Sequence, residues 1–77
     1  MMTVKFKNVG RDDASWSAEC SEKGFTYDWF MRQINRNAKL ASRYIEIDYE
    51  NDENGKPSHG KIFAGFHAVG EFTVEGA

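Results

Sequence analysis

The chain has little of what usually ties a small protein together. Its 77 residues include one cysteine, Cys20, and one proline, Pro57. A lone thiol excludes an internal disulfide. With only His59 and His67 beside it, a Cys₂His₂ zinc site lacks ligands. No run approaches the ~20 apolar residues that cross a bilayer. Met1 to Val9 alternates lysine with apolar residues and has no continuous apolar stretch of the signal-peptide kind. A free thiol without an export signal leads us to expect a cytoplasmic protein with no membrane partner.

Imidazole and thiol chemistry is equally thin. A Cys–His nucleophilic pair needs hydrogen-bond reach and an orienting third group, and no spacing here supplies them. His59 and His67 lie eight residues apart, more than ~20 Å on an extended strand, so sharing a metal would require a chain reversal. Cys20 is expected to pack as a small hydrophobe. Gly60, Gly65, Gly70 and Gly76 recur in the last third but lack the strand–loop–helix setting of a phosphate-binding loop. No catalytic residue, metal or cofactor is expected.

Aromatic side chains are plentiful: two Trp, three Tyr and six Phe. Each can bury about 150–250 Å², enough to build a core in one small domain spanning 1–77. A chain of this size buries only about 60% of its unfolded surface, so stability should be modest.

The most distinctive property is that charge is sorted along the chain. Residues 1–43 hold eight Lys and Arg against five Asp and Glu, whereas residues 44–77 hold two against seven; the net charge is −2. The pI of about 5.6 argues against a generic nucleic-acid binder without excluding a local basic patch.

Hydrophobic periodicity predicts the order β-β-α-β-β-β. Thr3 to Val9 alternates as a strand, with Val4 and Phe6 opposite Lys5 and Lys7. Gly10 to Asp13 reads as a turn. Ala14 to Ser21 alternates again and is taken as a strand, with a short helix capped by Asp13 as the alternative. Thr26 is a good N-cap for a helix with Asp28 in its first turn. Tyr27, Phe30, Met31, Ile34, Ala38 and Ala41 share one face, and the helix is expected to run to about Ser42. Tyr44 to Glu50 is a strand, Asn54-Gly55 marks a hairpin loop, and Pro57 is expected to end the pairing on its side. Lys61 to His67 and Glu71 to Glu75 are the last strands, with Gly70 as a turn or bulge. Gly65, inside a strand, is expected to admit close approach of the helix or a bend. The fold class is therefore α+β: an antiparallel sheet of four or five strands with one helix packed on one face.

Two surfaces stand out as partner sites. Arg32, Arg36, Lys39 and Arg43 form one stripe on the outward helix face, with Trp29 beside it. That is either a solvated face or a contact patch, since Trp flanked by Arg suits protein hot spots and also phosphate contact with base stacking. Glu46, Asp48 and Glu50 project from one strand at intervals of about 6.6 Å. That is either the solvated side of a half-covered sheet or a surface for a basic partner, with Lys61 placed to neutralise part of it. Phe63 and Val69 are candidates for a homodimer contact or a partner site.

These features favour a non-catalytic protein-interaction module that occupies a surface on a larger partner. The alternative is a small nucleic-acid-binding domain using the basic helix. Size, acidity and the missing catalytic set resemble the small inhibitors of phages and mobile elements, such as anti-CRISPR or anti-restriction proteins. No motif carries that resemblance, and it transfers no residue roles.

Overall fold

A computed structural model describes residues 1–38 and 44–76. The elements are β1 (Met2–Val9), β2 (Ala14–Cys20), α1 (Tyr27–Asn37), β3 (Ile45–Asn51), β4 (Pro57–Ala64) and β5 (His67–Glu75). The strands form one antiparallel sheet in the order β2-β1-β5-β4-β3, so β2 and β3 are its edges. The helix lies across one face, as the sequence pattern requires. Residues 14–20 are strand, which settles the alternative in favour of the alternation.

Alternation sorts the sheet into two faces. Met2, Val4, Phe6, Cys20, Ile45, Ile62 and Phe72 are buried on the helix side against Phe30 and Ile34. Phe30 sits edge-on to Phe6 at 5.7 Å and against Phe72 at 4.8 Å, and Phe6 stacks on Trp16 at 4.4 Å. Such aromatic pairs add about 0.5–1.5 kcal/mol each beyond their area burial. The core is therefore an aromatic layer between helix and sheet, with no buried polar or charged residue among the described residues.

Local chemistry fixes the ends of α1. The Trp29 N–H donates to the Thr26 hydroxyl over 3.2 Å, the expected N-cap. The helix stops at Asn37, about a turn before the expected end near Ser42. The Ala38 N–H still bonds to Ile34 O at 2.8 Å, but Ala38 itself is extended. Asn35 and Asn37 are weak helix formers, and Asn37 Nδ2 donates to the Gln33 carbonyl over 3.0 Å. Ala41 lies outside the described residues.

The last hairpin differs most from expectation. β4 starts at Pro57, four residues before the expected Lys61, and pairs it with Asn51 across a register shift. Proline at a strand's first position leaves no ladder donor missing. The chain then reverses at Gly65-Phe66, between the paired Ala64 and His67. Gly65 has φ +66°, which suits glycine at the first central position of a two-residue hairpin turn. Gly65 therefore serves a turn, neither a strand bend nor a helix contact. Gly70 lies within β5 beside the Ile62/Phe63 register shift, the bulge the sequence suggested.

Candidate functional site

Helix packing divides the predicted basic stripe. Arg32 and Arg36 are exposed, and no carboxylate lies within ion-pair distance of either among the described residues. Lys39 and Arg43 lie outside the described residues. Trp29 does not stand out in solvent beside them. It is half-buried and packs on Phe6, Phe25 and Phe30 at centroid distances of 5.9, 6.5 and 5.3 Å. Its neighbour on the same helix flank, Gln33, accepts a 3.2 Å hydrogen bond from Trp16 Nε1. That flank faces β2, so the outward helix surface is basic and Trp29 presents only part of its ring beside it.

No described helix covers the other side of the sheet. Glu46, Asp48 and Glu50 stand exposed on β3. In register they face Phe63, Lys61 and His59 of β4. Beyond them, Lys61 faces Glu71 of β5, which faces Lys7 of β1. Opposite charges thus alternate across that row, an arrangement worth about 0.2–1 kcal/mol per cross-strand pair. His59 Nε2 lies 3.3 Å from Glu50, an ion pair when the imidazole is protonated. Lys5 pairs with Glu75 at 3.1 Å. Glu46 and Asp48 have no cation within ion-pair distance among the described residues. A shallow depression of about 410 Å³ over this region is lined by Asp48, Glu50, His59, Lys61 and Phe63.

Two exposed aromatics extend the surface at one end of the sheet. Phe66 is 100% exposed at the β4–β5 turn, and Tyr44, just before β3, is 82% exposed. The Gly65 N–H donates to the Tyr44 carbonyl over 3.0 Å, so the two sit on neighbouring backbone. Hydrophobic alternation alone places Phe66 in a strand. Gly followed by a bulky residue between two alternating runs is the signal that marks it as a turn. Phe63 and Val69, suggested for a dimer contact, are both half-buried.

The groups with chemical reactivity do not converge. Cys20 is buried under the helix, and burial pushes its thiol above the ordinary value near 9. His59 and His67 are exposed, on β4 and at the start of β5. No group of three or more His, Cys, Asp or Glu side chains that could hold a metal occurs among the described residues. No described helix is long and apolar enough to cross a membrane.

No protein-family model, curated protein or solved structure matches this chain. A functional reading therefore rests on the two charged surfaces and the sheet edges.

Proposed function

We propose that this chain is a non-catalytic protein-interaction module whose acidic sheet surface occupies a basic region on a larger protein. The observation that carries this reading is the state of Glu46 and Asp48. Both are exposed on an edge strand, with no intramolecular cation in ion-pair range among the described residues. Glu46 faces Phe63 in register, and Asp48 faces Lys61 without a close ion pair, so among the described residues both carboxylates keep capacity to meet a partner's Lys or Arg. Complementary charge of this kind raises encounter rates and fixes orientation. The exposed cations Arg32 and Arg36 lie on the helix, on the far side of the sheet, and favour one docking direction over its reverse. A blocker needs no catalytic group, since it acts by covering a surface. An inhibitor of the phage or mobile-element type that covers part of a nucleic-acid-handling protein is the specific form of this proposal.

A nucleic-acid-binding module is the second reading, favoured by the exposed Arg32 and Arg36, which have no ion-pair partner among the described residues. Trp29 weakens it, because a base would have to stack on a ring already packed against Phe6 and Phe25.

Affinity capture from a lysate of the source organism tests the proposal, using wild type beside Glu46→Ala/Asp48→Ala and Arg32→Ala/Arg36→Ala. A protein retained by wild type and the arginine variant, and lost with the acidic variant, is the expected result. Nuclease-sensitive nucleic acid lost only with the arginine variant would replace the proposal with the second reading.

A further inference from the structure

The outer edge of β3 offers backbone hydrogen-bonding groups in a defined pattern. The Tyr44 carbonyl accepts from Gly65 N–H, so it faces β4. Backbone groups point to alternate sides along a strand, which turns the N–H and C=O of Ile45, Ile47 and Tyr49 away from β4. The Ile45 carbonyl is occupied by the Tyr27 hydroxyl at 2.7 Å. Ile47 and Tyr49 keep both groups without a protein partner among the described residues. No proline or lysine guards this seven-residue edge, devices that commonly block strand addition.

The side chains along the edge restrict what can add to it. Glu46, Asp48 and Glu50 lie on the open face, while Ile45, Ile47 and Tyr49 lie on the helix face. A second copy of β3 is a poor occupant. In any antiparallel register that keeps the two apolar faces on one side, carboxylate stands opposite carboxylate, a destabilising pairing. A segment with basic residues at alternate positions turns each of those contacts favourable. The other edge, β2, carries Ser15, Ser17 and Glu19 on its open face and has no such charge code.

We infer that β3 accepts an extended segment of a partner protein as a sixth strand, with Lys or Arg at alternate positions and apolar residues between them. The inference rests on the acidic surface being the docking side, and it names the form of the partner there. The basic side chains stand opposite Glu46, Asp48 and Glu50, and the apolar ones continue the layer of Ile47 and Tyr49. Main-chain hydrogen bonds to Ile47 and Tyr49 supply affinity, and the alternation supplies specificity.

The test is amide hydrogen exchange on the full chain titrated with a peptide the length of β3 that alternates Lys and Val. A Glu–Val peptide of equal length serves as control. The Lys–Val peptide should slow exchange at Ile47 and Tyr49 about tenfold or more, since amides protected by new ladder bonds open rarely. The Glu–Val peptide should leave both amides unchanged. Asp48→Lys should weaken Lys–Val binding by about tenfold or more, through loss of a favourable pair and gain of a like-charge one. Perturbation of open-face residues with no slowing at Ile47 and Tyr49 would overturn strand addition while leaving the acidic docking surface standing. No response to the Lys–Val peptide would also overturn strand addition, and the lysate capture would then judge the docking surface separately. Equal protection by both peptides would overturn the charge selection.

Discussion

The Tyr27 hydroxyl donates a 2.7 Å hydrogen bond to the backbone carbonyl of Ile45. It ties the first turn of α1 to the outer edge of β3 and fills one acceptor on that edge. Tyr27→Phe should lower stability by about 1 kcal/mol, the usual net worth of such a bond. The urea midpoint would fall with the slope unchanged. An unchanged midpoint would mean that water replaces the hydroxyl without loss.

Gly60 lies under Phe72. A Cβ at that position would overlap both the Phe72 ring and the Asp48 carbonyl oxygen. Phe72 is fixed in the core at 1% exposure, and Asp48 is held in the β3–β4 ladder. Gly60→Ala should therefore cost about 1–3 kcal/mol as overpacking. Gly24→Ala is the control, because its Cβ meets the exposed Ser21 hydroxyl at 3.2 Å and the Ser21 backbone only at ordinary contact distance, 3.6 Å or more. That change should stay within about 0.5 kcal/mol, as other surface substitutions do.

Trp29 and its arginine neighbours should separate cleanly in thermal unfolding. Trp29 is half-buried among Phe6, Phe25 and Phe30, so Trp29→Ala should cost about 2 kcal/mol or more. Arg32→Ala/Arg36→Ala should cost about 0.5 kcal/mol or less, because both side chains are exposed and neither has an ion-pair partner among the described residues. Equal losses of Tm in the two variants would contradict this division of the helix. The arginine pair is accordingly the right probe of binding by the helix.

Cys20 should be protected from alkylation. Its thiol is buried, and its pKa is raised above the ordinary value near 9. At pH 8 iodoacetamide should modify the folded protein at least about tenfold more slowly than the unfolded chain, because the thiolate is the nucleophile. The linkage follows the same direction. The thiol's contribution to stability is complete below its unfolded value and declines as pH rises through the higher folded value. Equal alkylation rates would show that the site opens freely.

The sequence made the parts of the fold governed by local chemistry legible. Thr26 announced the helix start, Val4 and Phe6 against Lys5 and Lys7 announced β1, and Asn54-Gly55 announced a hairpin. The Gly65-Phe66 turn was hidden because Ile62, Ala64 and Phe66 continue an alternating pattern straight through it. The inward set of Trp29 was hidden because helical periodicity centres the apolar stripe on Phe30 and Ile34. A broad sheet reaches further round the helix, and Phe6 and Trp16 on its β2 side engage the flank that carries Trp29 and Gln33. The acidic strand was visible from spacing alone. Its place at a sheet edge depends on strand order, which is set by non-local pairing. The Asp48–Lys61–Glu71–Lys7 row depends on that order too, and residue periodicity within a strand says nothing about it.

A hydrogen-exchange footprint of the captured complex tests the docking reading most directly. The account predicts added protection in residues 45–51 and 59–61, with α1 exchanging as it does in the free protein. Protection confined to α1, with β3 and β4 unchanged, would contradict it.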